Sequence, residues 1–566
     1  MNLNTKDISF VNFNNQVINW LKFNGQKVWE AFKNLIVSGV PPLTLFGSVG
    51  EPLINYKIEG NITQNGTPTP DAPIEIESVG DKTSNLFDND ISVSNVSKDG
   101  NDLIVKSYAA GTGIKPSQFL EMTGLKIGDK FTIKRSFTVE KGTASTATGA
   151  IRFLRADGSS DFFGLMGGSD KIKTVTIPAD FNDDTYSSLY FYGVSTAENG
   201  QRLVRFSNVQ IVKGSYTSST IPKYEPYGHR IPVKVSGKNL IEYPYADTTE
   251  MLNGITIVDN GDGTLTLNGT ATTNFAFNII NARYHMWDGL KKGNTYTMEL
   301  QAEGNYSGSF SLTCNYYYNE TSSYSAWLSA NVNKSNTKLI PEDMIGLRSY
   351  IYIYSGATFE NTILKPQLVL GEISTDYEPY AEPTTTNIYI KEPLRKIDEY
   401  FDYIDFEKGV VHRKIYNEFF KTVTSASSEN TTYKKFITNI SKKPLLKSLN
   451  PSSSNAGDMA GYAVSNKFQQ SKVNYNNLGK NPNLIQSYIT TGGAYRVANT
   501  FDDSSITTVA QANEKLGDGF DVCYVLETPI EQKIELPEIL TNKGTNIIST
   551  DTAVQPSNME VTYKGK

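Results

Sequence analysis

Short runs in which apolar and polar residues alternate fill most of this chain, and turns rich in glycine, asparagine and aspartate separate them. In the run 349–354, for example, Tyr350, Tyr352 and Tyr354 alternate with two isoleucines. An alternation with a period of two indicates a strand that has one face on a core and the other in solvent. Many such strands with turns between them predict antiparallel β-sandwiches of the jelly-roll type.

The same landmarks occur twice and in the same order along the chain. The pairs are Asn-Leu at 85–86 and 239–240, a Gly-Leu-Lys-x-Gly turn at 124–128 and 289–293, a Tyr-x-Tyr strand at 190–192 and 352–354, and Tyr-Glu-Pro-Tyr at 224–227 and 377–380. A repeat of this length exceeds a solenoid unit and has the size of a whole domain. The sequence therefore predicts two tandem copies of one β-sandwich.

Changes of pattern divide the chain into five predicted parts. They are a small N-terminal docking or oligomerisation unit (1–46), a Pro/Gly-rich linker with an edge strand (47–84), the first β-sandwich repeat (85–228), the second repeat (229–383) and a C-terminal β-rich domain (384–566). The predicted fold is therefore mainly β, with two tandem jelly-roll-like β-sandwiches flanked by the terminal units. Within the C-terminal domain a helix is predicted over 504–516, because a serine can cap it and Gly517 ends it.

The N-terminal unit carries more apolar surface than a unit of its size can bury. Its apolar residues are Trp20, Leu21, Phe23, Val28, Trp29, Phe32, Leu35 and Ile36. About 46 residues enclose little core, and soluble monomers rarely expose a large apolar patch. We expect these residues to pack against other copies of this chain or against another protein.

Composition and charge narrow the classes of partner. The chain has 566 residues, 33 tyrosines, 27 phenylalanines and a net charge of −6. Lysine and arginine are scattered without a basic stripe, so nucleic acid is not an expected partner. No apolar segment reaches the ~18–20 residues that span a bilayer, and no secretory signal pattern opens the chain. We expect a protein made in a cytoplasm and without membrane insertion.

No catalytic or metal-binding constellation emerges from the residue spacing. His229, His285 and His412 are isolated and lack the spacing of metal ligands. Cys314 and Cys523 lie in apolar strands, where a free cysteine behaves as a small buried hydrophobe. No pair of carboxylates is singled out as glycoside hydrolysis requires. The sequence predicts a protein that is not an enzyme and needs no cofactor.

Aspartates in turns leave one alternative open. Asp183, Asp259 and Asp262 belong to glycine- and asparagine-rich turns, where aspartate supplies turn geometry. Hard cations also take oxygen ligands from such loops. A structural calcium ion at these residues is the alternative to the turn interpretation.

Six aromatic residues of the second repeat are the candidate ligand contacts: Trp287, Trp327, Tyr317, Tyr350, Tyr352 and Tyr354. If the isoleucines of 349–354 face the core, the three tyrosines of that run form an outward ladder. An exposed aromatic ring suits stacking on a sugar ring. The two tryptophans and Tyr317 occur only in the second repeat, and we expect them to line its loops. Core packing is the competing interpretation for all six.

Five segments carry a resemblance to a known family: 23–29, 64–74, 85–87, 213–227 and 551–559. In this order they resemble tail proteins of bacteriophages that infect Gram-positive bacteria, of the minor structural, baseplate or fibre type, built with carbohydrate-binding-module-like β-sandwiches. The resemblance implies a virion component made in the cytoplasm of a bacterial host. It also implies other tail or baseplate proteins and host cell-wall or surface polysaccharide as partners, and a homotrimer. It brings no catalytic residues.

Three functions follow from these observations. The first is a structural and adhesive part of a phage tail tip that binds host carbohydrate. The second is a tail connector or decoration protein without sugar binding, and the third is a polysaccharide depolymerase. Exposed aromatics on a sandwich face favour the first, a self-complementary apolar surface the second, and a cleft with paired carboxylates the third.

Overall fold

Antiparallel strands form a central sandwich into which three further β-domains are inserted. The computed structural model describes residues 22–23, 26–27, 35–39, 41–47, 50, 52–91, 93–159, 162–282, 290, 292–319, 324–371, 376–429, 431–448, 459–490 and 492–563. The mainly-β class expected from the alternating pattern is confirmed.

Eight short strands precede the first repeat. They are β1 (Lys22–Phe23), β2 (Gln26–Lys27), β3 (Leu35–Gly39), β4 (Leu43–Gly47), β5 (Leu53–Glu59), β6 (Ile62–Thr63), β7 (Glu77–Ser78) and β8 (Asp81–Lys82). β1 pairs with β2, and β6 pairs with β7. The other four strands pair with segments much later in the chain.

The first sandwich has one helix and nine strands. They are β9 (Val96–Asp99), β10 (Asp102–Val105), β11 (Ala109–Gly111), α1 (Pro116–Thr123), β12 (Lys130–Lys141), β13 (Ile151–Arg155), β14 (Phe162–Met166), β15 (Ile172–Thr176), β16 (Tyr186–Tyr192) and β17 (Leu203–Lys213). The strand orders of its two sheets are β15-β12-β17-β10-β9 and β11-β16-β13-β14. A core rich in phenylalanine, including Phe131, Phe153 and Phe206, lies between the sheets.

The second sandwich follows β18 (His229–Gly237). Its strands are β19 (Met251–Leu252), β20 (Ile255–Asp259), β21 (Leu265–Thr270), β22 (Phe275–Ala282), β23 (Thr295–Ser307), β24 (Phe310–Tyr317), β25 (Tyr324–Asn331), β26 (Ser335–Leu339), β27 (Gly346–Ile353) and β28 (Thr358–Leu370). The strand orders are β19-β20-β21-β28-β23-β26 and β22-β27-β24-β25. Apart from the extra edge strand β19, both orders repeat those of the first sandwich. Two β-sandwiches of one build are therefore present, as the duplicated landmarks predict.

The remaining elements complete the central sandwich and a third insertion. They are β29 (Thr384–Ile390), β30 (Lys396–Ile397), β31 (Tyr400–Phe401), β32 (Tyr403–Asp405), β33 (Val410–Phe420), β34 (Ser425–Ala426), β35 (Phe436–Asn439), β36 (Leu446–Ser448), β37 (Met459–Gly461), β38 (Ala463–Ser465), β39 (Gln469–Gln470), α2 (Tyr475–Leu478), β40 (Leu484–Ile489), β41 (Tyr495–Asn499), α3 (Val509–Leu516), β42 (Phe520–Lys533), β43 (Gly544–Thr550) and β44 (Met559–Tyr563). No helix in the described part of the chain is long and apolar enough to cross a membrane.

The central sandwich is assembled from segments that lie far apart in sequence. One sheet has the order β29-β18-β43-β4, and β8 also pairs with β18. The other has the order β3-β44-β5-β32-β33-β42-β38. Apolar side chains of both sheets, such as Ile58, Val233 and Ile548, pack in one core. The first sandwich is inserted between β8 and β18, and the second between β18 and β29. The third domain, inserted between β33 and β42, contains the sheet β34-β35-β41-β40-β39.

This nesting differs from the predicted linear division. The prediction of a linker at 47–84 is wrong at β5, which lies between β44 and β32 in the middle of a sheet. β18 belongs to the central sandwich and not to the second repeat, and 384–566 is not a separate domain. The alternation of apolar and polar residues identifies each strand, but it does not show which strand, hundreds of residues away, pairs with it.

The N-terminal prediction is largely outside the described residues. Trp20, Leu21, Val28, Trp29 and Phe32 belong to that undescribed part. Leu35 and Ile36 lie in β3, whose backbone pairs with β44. The boundary at residue 46 is wrong because β3 and β4 are both strands of the central sandwich. Self-association through this segment stays a prediction.

The predicted helix is present but shorter. α3 begins at Val509, and its N-cap is Thr508, whose side chain accepts a hydrogen bond from the backbone of Gln511. The residues before it form a turn in which Asp503 accepts the Ser505 N–H at 2.8 Å. The serine cap is therefore wrong, because the capping box with Gln511 fixes the start further along. Gly517 ends the helix as predicted.

The duplicated asparagine forms the same buried clip in both sandwiches. The side-chain amide of Asn85 donates to the carbonyls of Val209 and Glu225, and its oxygen accepts the N–H groups of Phe87 and Ile211. Asn239 makes the matching four bonds with Pro366, Glu378, Ile241 and Leu368. Each clip joins the entry of a sandwich to its last strand and to the Tyr-Glu-Pro-Tyr turn. This explains why Asn-Leu and Tyr-Glu-Pro-Tyr recur together.

His229 gives the central sandwich a predicted dependence on pH. Burial, aided by Arg395 and Lys82, lowers the pKa of His229 to about 4, although the Lys391 carbonyl lies 3.4 Å from its Nδ1. An unfolded histidine titrates near pH 6.5, so the unfolded state binds more protons between about pH 6.5 and 4. Stability is therefore present above pH 6.5 and falls as the pH is lowered. Discounted for partial exposure, the loss by pH 5 is about 1–2 kcal/mol.

Thermal unfolding at pH 8 and pH 5 tests this effect. His229→Gln cannot take up the proton, so its loss of stability on acidification should be smaller than that of the unsubstituted chain. An equal loss in both proteins would show that other groups control the acid response.

Candidate functional site

The outer face of β27 and the residue directly after it carry the tyrosine ladder expected from the sequence. Ile351 and Ile353 are each 1% exposed and belong to the core of the second sandwich. Tyr354 is 45% exposed, and Tyr350 and Tyr352 are partly exposed. The alternation therefore places the isoleucines inward and the tyrosines outward, because successive side chains of a strand point to opposite faces.

The three rings contact one another edge to face. The ring centroids of Tyr350 and Tyr352 are 6.3 Å apart, with an interplanar angle of 69°. Those of Tyr352 and Tyr354 are 4.9 Å apart, with an angle of 81°. Such T-shaped contacts fix ring orientation, because the positive edge of one ring meets the negative face of the next. The ladder is therefore an ordered aromatic surface.

Polar groups lie beside the tyrosines on the same face. Tyr350 pairs with Asn278 on β22 and with Thr313 on β24. Asn278 Oδ1 accepts from Arg348 Nε at 2.9 Å, and the Arg348 guanidinium lies 5.1 Å from the Tyr350 ring centroid. Asn315 donates to the Tyr350 hydroxyl at 3.3 Å. The face combines aromatic rings with hydroxyl, amide and guanidinium groups, which can bond the hydroxyls of a polar ligand.

Two other predicted contacts are buried, which corrects their assignment. Trp327 is 2% exposed and donates through Nε1 to the Leu339 carbonyl at 3.0 Å. A β-bulge at Cys314 and Asn315 adds one residue to β25, so Trp327 and its neighbour Leu328 are both buried. Tyr317 is 4% exposed and offers no ring face to a ligand. Trp287 lies outside the described residues.

The turn aspartates are bonded within their own loops or to a neighbouring helix. Asp262 accepts the N–H and hydroxyl of Thr264, and these bonds lower the pKa of its carboxyl group. Asp183 accepts the N–H and hydroxyl of Ser117 at the start of α1. Asp259 accepts the Gly261 N–H at 2.9 Å. These contacts are the ones that the turn interpretation requires, and the structural calcium ion stays the alternative. The described residues include no cluster of three or more His, Cys, Asp or Glu side chains suited to a metal.

The cysteines are core residues, as predicted. Cys314 and Cys523 are each 1% exposed and unpaired. Burial raises the pKa of the Cys314 thiol to about 12 and that of Cys523 to about 11. A nucleophilic cysteine needs a thiolate at neutral pH, so neither is suited to that role.

The corresponding face of the first sandwich combines the duplicated Tyr-x-Tyr strand with Arg152 and Phe162, which were not candidate contacts from the sequence. Tyr190 and Tyr192 occupy the places of Tyr352 and Tyr354 in strand order. On the adjacent strand, the Arg152 guanidinium lies 4.3 Å from the Phe162 ring centroid and 4.4 Å from that of Tyr192. The alternation Ile-Arg-Phe at 151–153 places Arg152 on the outer face, and that pattern is visible in the sequence.

Comparisons with known proteins give distant similarities. No protein-family model and no curated protein matches the chain. A solved structure of the "N-terminal CBM22-1-CBM22-2 tandem domain from Paenibacillus barcinonensis Xyn10C" is 12% identical, with a TM-score of 0.20, over 52% of this chain and 98% of that chain. A structure of the Gx strain of infectious bursal disease virus is 8% identical, with a TM-score of 0.07, over 94% of this chain and 84% of that chain. Similarities this weak carry no argument about fold or ligand.

Proposed function

We propose that this chain is a structural and adhesive component of a phage tail tip or baseplate and binds host cell-surface carbohydrate through its β-sandwiches, without catalysis. The observation that carries the carbohydrate part is the outward ladder of Tyr350 and Tyr352 on β27 and Tyr354 directly after it. The virion part rests on the sequence resemblance to phage tail proteins.

The chemistry of the ladder suits a sugar. A pyranose ring has apolar C–H faces that stack on aromatic rings, and its hydroxyls need hydrogen-bond partners when they leave water. Asn278, Thr313 and Arg348 lie next to the rings on the same face and supply donors and acceptors. An open face of this kind forms few contacts with each ligand, so weak sites repeated in an oligomer would gain strength through avidity.

Firm attachment of the sandwiches supports the structural part of the proposal. The carboxylate of Glu378, in the second Tyr-Glu-Pro-Tyr turn, accepts both the N–H and the hydroxyl of Thr545 on β43 at 2.7 Å. In the first turn, Glu225 is paired with Arg230 of β18 at 2.9 Å. Each turn therefore ties the end of a sandwich to the central sandwich. A part that transmits force from a bound host surface to a particle needs such ties.

Substitution of the ladder tests the carbohydrate proposal. We expect Tyr352→Ala and Tyr354→Ala each to weaken binding to cell-wall polysaccharide of a susceptible host about tenfold, because a stacked aromatic contact is worth about 1–1.5 kcal/mol. Titration calorimetry on the full chain measures this loss.

Phe419→Ala is the matched control, because Phe419 is an exposed aromatic, 57% exposed, on the central sandwich. It should bind like the unsubstituted chain. If the unsubstituted chain and all three variants bind equally, the ladder is not the binding site. If none of them binds the polysaccharide, a connector without sugar binding is the better function. Release of reducing ends from the polysaccharide would instead indicate a depolymerase.

A further inference from the structure

Arg152 on the outer face of the first sandwich is a cation with no acceptor. Its guanidinium lies between the rings of Phe162 and Tyr192, at 4.3 Å and 4.4 Å from their centroids. Among the residues that the structure describes, none makes a hydrogen bond or ion pair with it. By contrast, Arg155 on the same strand pairs with Asp180 at 3.4 Å. A charged donor held in place without a protein acceptor is available to a ligand.

The strand arrangement builds this stack. β13 lies between β16 and β14, so Arg152 has Tyr190 opposite on one side and Gly164 on the other. Phe162 and Tyr192 are the diagonal neighbours on these two strands. A Cβ atom at Gly164 would come within 3.3 Å of the Phe162 ring, so the missing side chain leaves room for that ring beside the guanidinium. Phe162 is 46% exposed, and its ring is used for this contact instead of the core.

The stack determines which atoms of Arg152 remain for a ligand. Rings that approach a guanidinium at these distances cover its faces through cation–π contacts. The N–H donors point outward in the plane of the group and match the two oxygens of a carboxylate or phosphate. The Tyr190 ring lies on the same face, against Gly111, and the Tyr108 ring meets the Tyr192 ring at 5.7 Å.

The two sandwiches differ at this face. In the second sandwich the nearby guanidinium of Arg348 is occupied, because both Nε and Nη2 donate to Asn278 Oδ1, at 2.9 Å and 2.6 Å. The tyrosines there lie beside a guanidinium whose Nε and Nη2 donors are already taken by a side-chain amide. In the first sandwich the tyrosines lie beside an unpaired cation.

We propose that the outer face of the first sandwich, centred on Arg152, binds the oxyanion of an acidic saccharide, either a carboxylate or a phosphate ester, while the ladder of the second sandwich takes neutral sugar rings. This inference rests on the proposed carbohydrate-binding function and assigns a ligand class to each copy. The duplication thereby gives one chain two specificities.

A glycan array with neutral, uronic-acid-bearing and phosphate-bearing bacterial glycans tests the proposal on the full chain. We expect Arg152→Gln to lower binding to the acidic glycans about tenfold or more, because it removes charge-assisted hydrogen bonds. Arg152→Lys keeps the charge but loses the planar fork, so it should restore only part of the binding. Binding to neutral glycans should stay unchanged in both variants and fall in Tyr352→Ala. The two acidic classes show whether the bound group is a carboxylate or a phosphate.

Arg205→Gln is the charge-matched control, because Arg205 lies on the other sheet of the same sandwich and is paired with Asp99, Asp102 and Glu140. It should leave both glycan classes bound. Unchanged hydrogen exchange of β13 and β16 shows that the first sandwich is folded in the Arg152 variants. Neutral binding without a preference for acidic glycans, or a preference that survives Arg152→Gln, overturns this inference and leaves the proposed function intact. Binding to no glycan overturns the proposed function as well.

Discussion

Replacing Asp402 by alanine is expected to destabilise the central sandwich by about 3–5 kcal/mol, because the substitution breaks a buried ion pair and leaves a buried cation uncompensated. Asp402 is 0% exposed, and both of its oxygens are used. Oδ1 accepts the N–H groups of Lys414 and Ile415 at 2.7 Å and 2.8 Å. Oδ2 accepts the Arg395 N–H at 3.2 Å and lies 3.4 Å from Arg413 Nη1.

The position of Asp402 explains why the effect should be large. It connects β33 to the segment around Arg395, whose backbone also lies against Gly60 just after β5. Arg413 is 2% exposed and keeps the Pro393 carbonyl at 2.7 Å, but no other carboxylate reaches it among the described residues. Without Asp402, three backbone N–H groups lose their acceptor and the Arg413 guanidinium loses its carboxylate, in an interior that water does not reach.

Hydrogen exchange of β5, β32 and β33 measures this loss locally, which matters because a chain of several domains does not unfold in one step. Asp99→Ala is the control, because it removes an exposed carboxylate that pairs with Arg205 at 2.8 Å. Such exposed pairs contribute about 0–1 kcal/mol. If the amide hydrogens of these strands exchange no faster in the Asp402→Ala variant than in the Asp99→Ala variant, the ion pair is not important for the central sandwich.

The sequence predicts features that depend on neighbouring residues. The alternation of 349–354 places the tyrosines and isoleucines on opposite faces of β27, and the structure confirms this arrangement. The duplicated landmarks predict two sandwiches with one strand order. Both predictions succeed because the two faces of a strand and the order of repeated landmarks depend on the local sequence alone.

Features that depend on distant contacts are missed. Trp327 follows the same alternation as other strand residues, and only the bulge between β24 and β25 buries it. β5 is one of many alternating runs, and its partner β44 is at the opposite end of the chain. Asp402 stands between two aromatic residues like many surface aspartates, and only the folded chain brings Arg413 and Arg395 to it.

The asparagine clips give the second large expected effect. Asn239→Ala should destabilise the second sandwich by about 3–4 kcal/mol and leave the first sandwich unchanged. Asn239 is 3% exposed, and its loss leaves two carbonyls and two N–H groups without their partner in a buried site. Each buried group without a partner costs about 1–3 kcal/mol, and partial relaxation reduces the sum. Asn85→Ala should show the converse, since Asn85 makes the same four contacts in the first sandwich.

Hydrogen exchange of β17 and β28, the last strands of the two sandwiches, separates the two effects. Asn101→Ala is the control, because Asn101 is an exposed asparagine in a turn of the first sandwich and its removal should change neither strand.

Asn239→Asp adds a more specific test. Its carboxylate still accepts from Ile241 and Leu368, but it faces the carbonyls of Pro366 and Glu378 with no donor, so it should destabilise the second sandwich despite its near-identical shape. If either substitution affects both sandwiches equally, the clips are coupled through the central sandwich. If neither substitution affects β28, the repeated asparagine is not a structural clip and the recurrence of Asn-Leu needs another cause.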